Sequence, residues 1–427
     1  MMGLAQMLPD GSRSLQFLVY LSSAPRPRLS LANASRVGGI KAGRSDRRSP
    51  YPLTRGRAVT TAELNRTQHM DILSRILIHA HRDDPARVGS EQSGEDLRYV
   101  TGLDRAQWNE FRGLANSNHV VMRALGRLQR AAVALGDKEL SERCGTSLAE
   151  ERARIEHAVG ILQLICNTLE SSGCEVAVIK SLDHWPDLGS DLDLYTTADR
   201  RHVQEIMLQE FNASRVARSW GDRLANKWNF KVPGLPELVE IHVQFLGQTG
   251  EHARLAKRVI ERRTVKTVGE HQFYVPAPEE RLVISTLQRV YRHFYFRLCD
   301  IIDVALLLRS EPVDFEELGK AADAAGIWPG VVTFLGLIRC YIESYGGSLV
   351  LPDEVMASPE RAVIRLQLEG HFLRMSKLSA ASLYAAQCLQ AARHCDPRAL
   401  VRLPLMPPLA VSALIAYHLT GNDKGIW

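Results

Sequence analysis

Two stretches of this sequence, residues 190–196 (SDLDLYT) and 236–245 (PELVEIHVQF), alternate between apolar and polar side chains and carry acid on the polar positions. Successive side chains of a strand point to opposite faces. Asp191 and Asp193 therefore project together, while Leu192 and Leu194 enter the opposite layer. In the second stretch Glu240 and His242 share one face, and Val239, Ile241 and Val243 the other. If the two strands are neighbours, about 4.8 Å apart, Glu240 faces the aspartates across the ladder. Carboxylates gathered in this way repel at roughly 4 kcal/mol for each pair 4 Å apart at an effective dielectric near 20. Such a cluster needs cations, or it protonates. Hard oxygen ligands select Mg2+ or Mn2+, and paired ions of this kind serve in-line displacement at phosphorus.

The surroundings decide whether these aspartates do more than face water. From about residue 70 to 172 apolar residues recur at helical spacing, most clearly at Ile155, Ala158, Val159, Leu162, Ile165, Cys166 and Leu169, with SSG as the stop. A β-branched run, CEVAVIK, follows at once, then a loop with Pro186 and Gly189, then the first acidic strand. A helix is expected over 198–211, with Val203, Ile206, Met207 and Phe211 on one face, and a strand around WNFKV before the second acidic run. Beyond residue 277 the pattern is helical again. Helix, strand, strand, helix, strand, strand describes a small mixed sheet backed by helices. The resulting parts are a disordered basic tail at 1–60, an N-terminal helical domain at 61–155, a core at 156–275 and a C-terminal helical domain at 276–427.

Charge excludes less than its total suggests. The net +5 arises in residues 1–57, which hold ten Arg or Lys against two acids, leaving 43 basic and 46 acidic residues for the rest. The near-neutral remainder speaks against a nucleic-acid partner unless a compact basic patch lies beside the cleft. The leading segment is Arg-rich and poor in acid, a composition that fits a disordered tail and also a transit peptide. No run of about 18 apolar residues is present, so no membrane span is expected. Seven cysteines without CxxC or zinc-type spacing imply a reducing cytoplasm and no structural metal.

The strand, the turn after it, Asp-x-Asp about ten residues on and a third acid on a later strand together resemble the nucleotidyltransferase superfamily of DNA polymerase beta. More narrowly, VAVIKSLDHWPDLGSDLDLY, VEIHVQF and RLCDIIDVALLL look like successive blocks of the bacterial uncharacterised nucleotidyltransferase family, over residues 105–345. The resemblance implies an α+β fold, with a small mixed nucleotidyltransferase sheet flanked by N- and C-terminal helical domains. It implies Asp191 and Asp193 as metal ligands, Glu240 as third carboxylate and general base, and Lys180 and Ser181, with Ser190, beside the triphosphate. It further implies Mg2+ or Mn2+, an NTP such as ATP as donor, and a small-molecule or protein acceptor.

Two departures stand out. Ser181 replaces the glycine that follows the family's lysine, and no arginine occupies the loop before Asp-x-Asp, which leaves the triphosphate's charge to Lys180, the metals and Lys227 or Lys231. A nucleotide-binding or partner-binding protein that has kept the sheet but lost turnover is the competing expectation. Of the remaining candidates, Arg297 and Asp300 are spaced to pair as neighbours on one helix, and the aromatics at 291–296 are expected to pack.

Overall fold

The computed structural model describes residues 61–79, 91–356 and 366–420; the tail expected at 1–60 lies outside them. Helices α1 (Thr61–His79), α2 (Glu91–Thr101), α3 (Arg105–Ser117), α4 (Val121–Leu135) and the 34-residue α5 (Lys138–Ser171) come first. The single helical run read across 106–135 is in fact α3 and α4, broken at the buried Asn118. The Asn118 amide donates to Leu114 O at 3.0 Å and accepts from the backbone N–H of Leu298 at 2.9 Å, so local side-chain bonds outcompete helix continuation there. Asp137 caps α5, whose apolar stripe from Ile155 to Leu169 is buried as its spacing predicts.

Next come β1 (Val176–Val178), β2 (Asp191–Thr196), α6 (Arg200–Gln209), β3 (Ser214–Arg215), α7 (Trp220–Ala225), β4 (Lys227–Lys231) and β5 (Leu238–Val243). They make a five-stranded sheet in the order β1-β2-β5-β4-β3, antiparallel except for the parallel pair β2/β5. Leu192, Leu194, Val239, Ile241 and Val243 pack with the α5 stripe and with Val203, Ile206 and Met207 of α6. The opposite face carries the acids.

After the sheet follow α8 (Ala253–Glu261), a hairpin of β6 (Thr264–Val268) and β7 (His271–Val275) that the sequence reading did not anticipate, and α9 (Pro278–Thr286). A π-helix at Leu287–His293 extends α9. Then come β8 (Tyr295–Phe296), α10 (Leu298–Ser310), α11 (Phe315–Ala325), α12 (Trp328–Ser344), α13 (Asp353–Met356), β9 (Gln367–Glu369), β10 (Phe372–Arg374), α14 (Lys377–Arg393), α15 (Pro397–Arg402) and α16 (Met406–Thr420). Side chains of α1–α4, the start of α5, α8–α12 and α14 share one hydrophobic core with Ala177, Ile179 and Tyr195 of the sheet. The helices before and after the sheet thus close over its acid-bearing side together. No helix among the described residues is long and apolar enough to cross a membrane.

Asp300 and Asp303 have a structural role, but their ion pairs are with residues other than the Arg297 guanidinium expected from spacing. Asp300 accepts from the backbone N–H of Arg297 at 2.7 Å and pairs with the buried Arg289 at 2.8 Å. Asp303 pairs with Arg123 and with His184, both at 2.5 Å. The aromatics at 291–296 mostly pack: Phe296 stacks on Phe334, and Tyr295 on Phe372.

Candidate active site

β1 delivers the chain to a tight turn. The N–H of Ser181 donates to Ile179 O at 2.8 Å, closing a three-residue turn in which Lys180 has φ 69° and ψ −53°. This is the left-handed γ-turn, rare for a residue with a side chain, and it stores about 1–3 kcal/mol of backbone strain. The turn puts the Lys180 ammonium 2.6 Å from Asp193 Oδ1. Strain at a lysine where glycine fits better is expected where the side chain does chemistry. Lys180→Gly should therefore be more stable than Lys180→Ala by about 1 kcal/mol, the strain relieved less the glycine's extra chain entropy, although neither keeps the ammonium. Urea unfolding of the two variants checks this; equal stabilities would remove the strain argument.

Ser181 is buried. Its hydroxyl donates to Asp191 O at 3.1 Å and accepts from the N–H of Asp193 at 2.8 Å. It thereby clamps the start of β2, and a phosphate contact from Ser181 would have to displace these bonds. Ser190 is exposed and donates to Asp191 Oδ2 at 3.2 Å.

The parallel register places Asp193 directly opposite Glu240. Ligand atoms of Asp193, Glu240 and His242 all lie within 4.8 Å of one another. Asp191, two residues earlier on the same face and exposed, stands at the mouth of this group. Glu240 accepts from Lys227 Nζ and faces His242 Nε2, both at 2.9 Å, and Lys227 also pairs with Asp222 at 2.8 Å. Although Asp191 as a residue is exposed, the atoms packed around its carboxyl raise it, and the negative charges of Asp193 and Glu240 raise it further. Burial acts the same way on Glu240, but Lys227, His242 and Lys180 overcome it and hold Glu240 well below the usual carboxylate range. Lys180 and Lys227 compensate Asp193 and Glu240, and Asp191 is the acid without an ion pair among the described residues. The ligand atoms of Asp193, Glu240 and His242 lie close enough to meet one divalent cation, with Asp191 beside them on the same face.

Besides Lys180, positive charge arrives from the helices, where no motif pointed to it. Lys227 is engaged as described, while Lys231 is exposed at the end of β4 that lies level with Asp191 across β5. The π-helix brings Arg292 into a cavity of about 560 Å³ shared with Lys180, His242, Gln248 and Gln288. The Nε of Arg292, Nδ1 of His242 and Oε1 of Gln248 are buried there without a hydrogen-bond partner. Burial and the charges of Arg292, Arg289, Arg297 and Lys180 hold the His293 imidazole well below its ordinary value, a sign of how concentrated the cations are. π-Turns inside helices are frequent at functional sites, and the aromatic run had hidden this one. Arg297 opens on a second cleft, of about 960 Å³, with Ser190, Gly189 and His119. Arg154 of α5 donates to Leu188 O at 3.1 Å, fixing the loop that lacks its own arginine.

A small mixed sheet with Asp-x-Asp facing a third acid on the neighbouring parallel strand, enclosed by helices, is a nucleotidyltransferase-type core. The chain belongs to the family described as uncharacterised nucleotidyltransferase, whose sequence model matches residues 104–343. An antigenic nucleotidyltransferase-like protein from Paracoccidioides brasiliensis is similar at 16% identity over 47% of this chain and 96% of that one, with a TM-score of 0.29. So slight a likeness adds nothing to the family match. No curated protein matches.

Proposed function

We propose that the protein transfers a nucleotidyl group from an NTP to an acceptor hydroxyl and releases pyrophosphate. What carries the reading is the register pair Asp193/Glu240, with Asp191 at its mouth and Lys180 bent toward it by a strained turn. Asp191, Asp193 and Glu240 would hold Mg2+ or Mn2+, which when bound lowers the acceptor's pKa and neutralises the leaving phosphates. Lys180 and Arg292 bind the polyphosphate, Arg292 taking the place of the loop arginine. Glu240, held anionic by Lys227 and His242, is a ligand and a poor general base. With Nε2 turned to Glu240, His242 offers its unpartnered Nδ1 to the cavity as a hydrogen-bond acceptor for the incoming hydroxyl. The seven unpaired cysteines suit a reducing cytoplasm.

One observation favours the second reading, a nucleotide-binding protein without turnover: the turn's donors are spent on β2 and the Lys180 ammonium on Asp193. Pyrophosphate release with each of the four NTPs and Mg2+ or Mn2+, beside calorimetric nucleotide binding, separates the two. Metal-dependent release with one or more NTPs is expected. Binding without release supports the second reading, and neither binding nor release overturns both.

A further inference from the structure

A second cluster of charge lies across one loop from the acids. The first turn of α6, α7, the residues after β5 and α15 enclose a cavity of about 680 Å³ lined by Arg200, Arg223, Arg398 and Arg402, with Asp199 as its single acid. The Asp199 carboxylate is committed to the N–H groups of Arg201 and His202, capping α6. None of the four arginines pairs with a carboxylate among the described residues. Arg398 is held by Gly250 O at 2.6 Å and by the Phe245 ring, 3.3 Å from the guanidinium carbon, yet its Nη2 is buried without a partner. Arg402 donates to Leu224 O at 2.7 Å and to Thr249 O. These carbonyls fix the guanidiniums without neutralising them.

Water solvates the exposed Arg200 and Arg223 but does not account for the buried Arg398 Nη2. Buried donors are nearly always satisfied, and cations in a helix's first turn, such as Arg200, oppose its dipole. Burial and neighbouring Arg402 lower the Arg398 guanidinium, although Asp396 and Glu251 act in the opposite sense. Four unpaired guanidiniums exceed what one phosphate satisfies. Beside them Trp220 is 60% exposed, with the Arg223 guanidinium 5.4 Å from its ring centre. Arginines along a groove with an exposed aromatic ring form the arrangement that follows a phosphodiester backbone and stacks a base.

We propose that this cavity binds the backbone of a single-stranded nucleic acid, with Trp220 as the stacking face, and that this nucleic acid is the acceptor. The second clause rests on the nucleotidyltransferase reading. Gln244 and Phe245, directly after the strand that carries His242, line the arginine cavity, and the next residues, Leu246, Gly247 and Gln248, line the cavity that Lys180, His242 and Arg292 share. In the transfer, a terminal hydroxyl oxygen bonds to the α-phosphorus as the bond to the bridging oxygen breaks. Pyrophosphate leaves with the electron pair, and the hydroxyl proton passes to solvent. The patch is local, so the near-neutral balance of 43 basic and 46 acidic residues conceals it.

The test is fluorescence anisotropy of the full chain with a labelled single-stranded RNA of about fifteen nucleotides, near the upper site size of one such groove. Arg200 and Arg223 are exposed, so the double variant Arg200→Ala/Arg223→Ala folds as the parent does. It should bind about tenfold more weakly, with a log–log salt slope shallower by about 2. Trp220→Ala should weaken binding severalfold, and Asp193→Ala should leave it unchanged. No RNA binding, or equal binding by the double variant, overturns the proposal, as does protection by inorganic phosphate without RNA binding, which marks a small phosphate ligand. The double variant should bind NTP as the parent does in calorimetry, because the polyphosphate is assigned to Lys180 and Arg292 in the other cavity. The fate of this site and that of the nucleotidyltransferase reading are thus read separately.

Discussion

Asp193→Ala should lower NTP-dependent pyrophosphate release by about three orders of magnitude or more, roughly 4 kcal/mol of transition-state stabilisation. Asp193 joins the acids of the candidate site to its lysine and histidine. It faces Glu240 across the ladder, takes the Lys180 ammonium at 2.6 Å and lies 3.8 Å from His242 Nε2. Its removal deletes a proposed metal ligand and releases the lysine that the strained turn aims. Asp193→Asn keeps the size and loses the charge, so it separates packing from electrostatics and should be nearly as inactive. The substitution also relieves Asp191 of a repelling neighbour, and its carboxyl should then titrate lower, as carbon-detected NMR would register. Release within tenfold of the parent would move the chemistry away from β2 and β5.

Much of this site was legible because strand periodicity fixes which side chains share a face. Asp191, Asp193, Glu240 and His242 could be placed together from alternation alone, and their partnership needed only that β2 and β5 be neighbours. Beyond Lys180, the cations were not legible. Arg292 reaches its cavity through a π-helix, which leaves no periodic signature in YRHFYF, and the arginines of the second cavity come from α6, α7 and α15, far apart in sequence. The hairpin at 264–275 did have a signal, an alternating TVKTV and HQFYV around Gly269-Glu270, with Gly269 at φ 59°. The packing of α1–α4 with α9–α12 into one core was beyond reach, since helical periodicity reports a buried face and not what buries it.

The same limit hid the network on which the second large effect depends. Arg123 of α4 is buried between Asp187, at 2.7 Å, and Asp303 of α10, at 2.5 Å, and Asp303 also holds His184 at the end of the turn that begins with Lys180. Removing one partner of a buried pair leaves the others charged in a low dielectric, at a cost of about 3–5 kcal/mol. Arg123→Met should therefore destabilise the fold by that amount in urea unfolding, and the residual folded protein should release pyrophosphate more slowly, because His184 anchors the Lys180 turn. A pH profile adds a signature. Burial lowers the His184 imidazole, while Cys299 and Asp303 raise it well above 6.5; burial also keeps the Cys299 thiol neutral, so Asp303 is the anion that acts. The stabilisation from His184 is then fully present below 6.5 and lost as pH rises through the folded value. For Asp303, held below 3.8 by Arg123 and His184 against burial, it is present above 3.8 and lost as pH falls through the folded value. Asp303→Asn should flatten both limbs of the stability profile. Survival of the alkaline limb in Asp303→Asn, or an Arg123→Met variant as stable as the parent, would show that α4 and α10 hold the Lys180 turn by packing alone.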